Sequence, residues 1–178
     1  FKEKMQSHRD LSRSGASKKF SGGLADDSAE VVRLHTATHL LHRALKNVLG
    51  DDIAQKGSNI TAERLRFDFN YPEKVPADKL QEIEDEVNKA IKADLPVHFE
   101  ELTPEQAKER GAIGYFDDKY ATLGNKLKVY FVGDYSSEIC GGPHVERTGE
   151  LGGFKIAKEQ AVSAGIRRIK ATISANET

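Results

Sequence analysis

Two short pieces of this chain can do chemistry together, H-T-A-T-H at 35–39 and C-G-G-P-H at 140–144. His35 and His39 stand four residues apart, so on a helix both imidazoles leave from one face at the spacing a single ion needs. Cys140, the only cysteine, precedes His144 by four residues, and the Gly141, Gly142 and Pro143 between them suit a tight turn. Either pair alone is weak evidence, since histidines recur by chance on amphipathic helices and a lone cysteine is ordinarily a small core residue. Together they offer three imidazoles and a thiolate, a donor set that favours zinc over the oxygen-seeking magnesium and calcium. Four protein donors describe a closed structural site, whereas catalytic zinc commonly keeps a position for water, and both readings stay open. The glutamate that a His-Glu-x-x-His protease uses as its base is replaced by Thr36, which argues against peptidase chemistry. No carboxylate lies within the two pieces. Asp134 and Glu138 just upstream of Cys140 are possible helpers, although acidic loop residues more often face solvent.

The elements that must position these groups follow from periodicity. Asp27 and Glu30 have the spacing of a capping box, Val31, Leu34, Leu41, Leu45 and Val48 recur at helical intervals, and Gly50 suits the stop. This helix carries the first histidine pair. Over 64–70, Leu65, Phe67 and Phe69 alternate with Arg64, Arg66, Asp68 and Asn70, as in a half-exposed strand. Pro76 opens a second helix with Leu80, Ile83, Val87, Ala90 and Ile91 as its apolar stripe. A strand is expected over 96–101, a short helix from Thr103-Pro104 with Gln106 to Gly111, and further strands over 127–132, 154–156 and 169–173. Without a regular β-α-β rhythm, the pattern predicts an α+β fold. A largely antiparallel sheet is expected to pack against helices, with a zinc site between the first helix and a C-terminal loop.

The 178 residues allow one domain with a substantial core. Residues 1–23, ending in Ser21-Gly22-Gly23, read as an N-terminal extension, and 24–178 as the functional domain. Six cations against two acids in residues 1–20 read as a solvated tail or a linker from a longer protein, and a first residue Phe1 fits an excised piece. The net charge of −1 argues against coating nucleic acid by global electrostatics and leaves local patches possible. A single cysteine fits a reducing, cytoplasmic compartment. No apolar run approaches the roughly 20 residues of a membrane span, and no secretory signal is visible.

The ordered motifs HTATHLLHRALKNVLG (35–50), QKGS (55–58), RLRFDF (64–69), CGGPHV (140–145), RTGELG (147–152) and SAGIRRI (163–169) resemble the editing domain of alanyl-tRNA synthetases and its free-standing AlaX relatives. These belong to the threonyl and alanyl second additional domain family. One departure is Pro143, where alanyl-type sequences usually carry threonine. The resemblance implies a zinc-dependent aminoacyl-tRNA deacylase, an ester hydrolase that clears serine and glycine from the acceptor end of alanine tRNA, beside the aminoacylation domain of the same longer chain. An alanine pocket cannot exclude glycine, or serine strongly enough, so a second sieve is needed. That sieve can spare alanine if a buried polar group bonds the serine hydroxyl and is left unpaired otherwise.

The alternatives are a tRNA-binding module with a purely structural zinc, or a free-standing AlaX-type protein. By position the resemblance makes His35, His39, Cys140 and His144 the zinc ligands and gives Gln55 and Cys140 catalytic roles. Thr38, Gly57, Ser58, Gly141, Gly142, Arg167 and Arg168 carry over as substrate-binding residues. Each has an ordinary alternative: Thr38 bonding its own helix backbone, the glycines serving turns, and the arginines forming solvated strand charge.

Overall fold

The computed structural model describes residues 28–113, 126–140 and 143–174. In chain order the elements are helix α1 (Ala29–Leu49), strands β1 (Gln55–Ile60) and β2 (Leu65–Asn70), helix α2 (Ala77–Lys92), strand β3 (Val97–Leu102), helix α3 (Pro104–Glu109), strands β4 (Leu127–Val132) and β5 (Ser136–Ile139), a 3-10 turn (Thr148–Leu151), and strands β6 (Phe154–Ser163) and β7 (Ile166–Ile173). The expected extension at 1–23 lies outside the described residues, and so do Asp27, Gly141 and Gly142. Among the described residues, no helix is long and apolar enough to cross a membrane.

Ser28 caps α1, its hydroxyl accepting the Val31 N–H at 3.4 Å, one position after the expected Asp27. Val31, Leu34, Ala37, Leu40, Leu41, Ala44 and Leu45 are buried along the helix and join the main core with Phe67 and Phe69 of β2, Ile83 and Val87 of α2, and Ile169 of β7. The same helix also buries His35, Thr36, Thr38, His39 and His42. A polar group taken out of water needs partners, so α1 requires a polar neighbour on that side as well as an apolar one.

The expected α+β architecture is present, with the strands divided between two antiparallel sheets. The larger has the order β1-β2-β7-β6 and the smaller β3-β4-β5. Two strands lie where the sequence pattern is silent. β1 is Q-K-G-S-N-I with Ile60 alone fully buried, and β5 is the four-residue S-S-E-I. Edge strands of this kind carry no apolar alternation to read. β6 runs on to Ser163 beyond the expected 154–156, because it pairs with β7 along exposed residues. α3 forms the expected capping box, with Thr103 and Gln106 bonding each other's backbone N–H.

Much of the R-T-G-E-L-G motif is a clip that fixes where the chain after His144 sits. Arg147 reaches Asp94 Oδ2 through Nε at 2.9 Å and the Asp94 carbonyl through Nη2 at 2.7 Å. Gly149 donates its N–H to Asp94 Oδ1 at 3.1 Å, and a Cβ at Gly149 would stand 2.5 Å from that oxygen. Glu150 accepts the N–H groups of Glu146 and Arg147. Thr148 is fully buried, accepts the Leu95 N–H at 2.8 Å and donates to the Ala90 carbonyl at 2.8 Å, joining the end of α2 to the entry of β3. Thr148→Val keeps the shape and strands both backbone groups, so we expect a loss of about 1–3 kcal/mol. The measurement is urea unfolding, and an unchanged midpoint would show that the hydroxyl is dispensable.

Candidate metal centre

His35 and His39, one turn apart on α1, meet Cys140 and His144 from the segment after β5. One potential ligand atom from each of the four residues lies within 4.8 Å of the others. Cys140 Sγ is 3.3 Å from His35 Nε2, and the Nε2 atoms of His35 and His39 are 3.4 Å apart. A tetrahedron with bonds of about 2.0–2.3 Å has edges of about 3.3–3.8 Å, so both separations suit a shared ion. The imidazoles pack ring on ring, His35 stacking on His144 at 4.2 Å and His39 meeting His144 edge-on at 4.4 Å.

Each histidine is turned inward by a bond to its other nitrogen. His35 Nδ1 donates to the Pro143 carbonyl at 2.8 Å. His39 Nδ1 is held against Glu138 Oε2. His144 Nδ1 stands 3.0 Å from Thr36 Oγ1, which also accepts the Val145 N–H at 3.2 Å and donates its own hydrogen to the Val32 carbonyl at 3.3 Å. That hydroxyl has one hydrogen and two lone pairs, so its remaining lone pair faces His144 Nδ1, which must be the protonated nitrogen. His144 Nε2 is then a bare acceptor, buried and without a hydrogen-bond partner among the described residues. With Nδ1 of His35 and of His144 both spent as donors, their Nε2 lone pairs face inward beside the Cys140 sulfur, a donor set that fits a metal ion.

The electrostatics agree with this donor set. Burial alone would raise the Cys140 thiol, but hydrogen bonds and positive charge from His35 and His39 bring it to about 6, favouring thiolate at neutral pH. Burial, with repulsion from His39, His35 and Lys128, holds His144 far below the ordinary imidazole range, leaving it neutral. Burial opposes the Glu138 carboxylate, yet His39, followed by His42, holds it ionised well below the usual range. Glu138 reciprocally raises His39 against the effect of burial. A bound cation would displace the His39 Nε2 proton, the usual coupling of metal binding to proton release.

Glu138 is the main surprise of the site. It is 7% exposed rather than solvent-facing, and its Oε1 takes a second contact from His42 Nδ1 at 3.1 Å. Thr36 and the Pro143 carbonyl likewise act on the histidines from behind. The spacing of ligand types carries no signal for such groups, although Glu138 two residues before Cys140 is a position from which a strand can reach the same face.

The other expected residues have the following places. Thr38 is buried and donates to the Leu34 carbonyl at 2.9 Å, the ordinary helical alternative. Gln55 Nε2 donates to Ser58 Oγ at 3.2 Å along edge strand β1. A bulge separates Gln55 from Gly57, where a Cβ would come 3.3 Å from Asp68 Oδ2. Arg168 grips that same Asp68 with two bonds of 2.8 and 3.1 Å from directly across the ladder, and Arg167 Nη2 pairs with the buried Glu159. Both arginines thus hold neighbouring strands through carboxylates.

Residues 127–170 match the family described as threonyl and alanyl tRNA synthetase second additional domain. The chain is 56% identical to an alanine–tRNA ligase of Treponema denticola, over 97% of this chain and 28% of the ligase. It is 53% identical to that of Treponema pallidum over the same shares, and 49% identical to that of Coxiella burnetii over 80% of this chain and 16% of the ligase. It therefore spans little more than a quarter of the length of the Treponema ligases. A match through nearly the whole chain, together with a three-histidine, one-cysteine cluster on its motif residues, makes the chain similar to the segment of alanine–tRNA ligases that carries the threonyl and alanyl second additional domain.

Proposed function

We propose that this domain is a zinc-dependent deacylase that hydrolyses serine and glycine from the acceptor end of alanine tRNA, working beside the aminoacylation domain of a longer synthetase. The observation that carries the reading is the convergence of His35, His39, Cys140 and His144 on one point, each histidine aimed from behind. When bound, zinc supplies Lewis-acid polarisation of the ester or of the attacking water. The chain's own residues position the reactants. Glu138 is ionised with one oxygen held to each of two histidines, so it orients ligands and balances charge rather than drawing a proton from water. Gln55, paired with Ser58, offers a carboxamide to the ester or amino acid. Thr38, adjacent to His39 on α1, and the glycines Gly141 and Gly142 belong to the substrate-binding set. Arg168 and Arg167 act through the strands they hold, keeping β1 and its Gln55 in register.

The closed four-donor set favours a second reading, in which zinc only holds the fold and the domain binds RNA without cleaving it. Incubation of the chain with serine-charged and alanine-charged alanine tRNA separates the two. We expect serine to be released and alanine retained, and Cys140→Ala to lower zinc content and hydrolysis together. Undiminished turnover by metal-free protein would refute a catalytic ion, and equal retention of both amino acids would leave only binding.

Replacing Glu138 by Gln preserves shape and removes the charge that His39 and His42 share. Outer partners of metal-bound histidines commonly contribute about 10- to 100-fold in metal affinity, so zinc binding measured by chelator competition should weaken within that range. Affinity equal to that of the unaltered chain would reduce Glu138 to a packing role.

A further inference from the structure

The smaller sheet carries an exposed aromatic group whose position the core does not explain. Phe99, on edge strand β3, is 49% exposed, whereas the aromatic rings of β2 are fully buried. In the ladder Phe99 stands directly opposite Tyr130, and Tyr130 directly opposite Glu138. Directly opposed residues share a sheet face, so this row leads from the open edge to the carboxylate behind His39. Tyr130 lies 5.5 Å from the Phe99 ring and meets His144 edge-on at 4.2 Å. Lys128 is on the same face, with its ammonium 4.1 Å from the centre of the Phe99 ring and 5.3 Å from that of Tyr130. Glu101 is directly opposite Lys128 in the ladder, yet among the described residues the ammonium makes no carboxylate ion pair and turns to the rings.

We propose that Phe99 and Lys128 form the seat of the terminal nucleotide of the RNA, with the base stacked on the Phe99 ring and the adjoining phosphate paired with the ammonium. This rests on the reading of the metal centre as the place where an acylated RNA end is held. An exposed ring next to an ammonium that has no carboxylate partner among the described residues is the pairing that binds unstacked nucleotides, the ring taking the base and the cation the backbone. Two ring contacts carry from Phe99 to His144, a reach on the scale of one nucleoside and its ester. A seat here also adds nucleic-acid affinity where net charge supplies none, since the charge of the whole chain is −1. The ring of Phe99 tolerates any base, so this seat anchors the end without reading its sequence.

The test uses uncharged acceptor-stem minihelices of alanine tRNA, one intact and one lacking only its terminal base, with binding followed by fluorescence anisotropy. Removing the base should weaken binding to the chain by about 5- to 100-fold, the worth of one stacked base. Phe99→Ala should weaken binding of the intact RNA by the same factor and leave binding of the base-less RNA unchanged, while Phe99→Trp restores affinity. Lys128→Gln should flatten the dependence of log affinity on log salt by about 0.7. In serine release, Phe99→Ala should raise KM and spare kcat. Independent losses from the base and the ring, or no loss from either, would overturn the seat and leave this face to another part of a longer chain or to a protein. Because the minihelices carry no amino acid, failure of serine release with the binding pattern intact would sink the deacylase reading alone. Serine release with KM unaltered by Phe99→Ala would sink the seat alone.

Discussion

The structure depends on satisfying a polar stripe in the middle of a helix that is otherwise a core element. α1 buries five polar side chains between His35 and His42 within one 21-residue helix. Left unpaired, each would cost free energy comparable with a lost hydrogen bond or more. The chain answers with the segment that follows β5. The Pro143 carbonyl, His144, the Val145 N–H, Cys140 and Glu138 all bond to that stripe. Cys140, residues 143–145 and Glu138 of the smaller sheet are thereby tied to α1 through polar contacts, in addition to the apolar core that α1 shares with the larger sheet and with Val132 and Val145. The clip formed by Asp94, Arg147, Thr148 and Gly149 then sets where that segment leaves the site.

Charge balance explains why the stripe has this composition. A Cys140 thiolate and the Glu138 carboxylate would together neutralise a divalent cation held by Cys140 and three neutral imidazoles. A buried site of near-zero net charge avoids most of the desolvation cost that an isolated ion would carry. Without the cation, the proton that Glu138 favours on His39 performs part of the same neutralisation. The acidic group is therefore as much a part of the centre as the four donors, acting on it through the imidazoles of His39 and His42.

What could be read from the sequence was what repeats or what bears a distinctive chemistry. The periodicity of Val31 to Val48 marked α1, the alternation of Leu65, Phe67 and Phe69 marked β2, and the two short histidine motifs marked groups that the fold does bring together. β1 was illegible because an edge strand with little buried surface needs no apolar alternation, and β5 because the residues it buries, Ser136 and Glu138, are polar. Glu138 could be named only as a possible helper, with solvent exposure the commoner case for such a residue, because burial of a carboxylate depends on partners supplied from α1, 96 residues away for His42. Composition also could not show that Arg167 and Arg168 are held by Glu159 and Asp68, since the pairing arises from the β6-β7 and β2-β7 registers.

Thr36 shows how one position redirects the chemistry of a familiar helix motif. A glutamate there would place a base beside the first ligand. The threonine hydroxyl instead uses its one hydrogen on the Val32 carbonyl and its two lone pairs on His144 Nδ1–H and the Val145 N–H. Nothing remains on it for proton transfer, and its effect is to fix the tautomer of a ligand and close the turn behind it. Glu138 is committed in the same way to His39 and His42. With Thr36 and Glu138 both spent on orientation, neither supplies a base, and placement of the ester and water together with the electrostatics of the ion would carry hydrolysis at this centre. A centre of that kind favours tight anchoring of the substrate away from the scissile bond, because small errors in placement then cost the most rate.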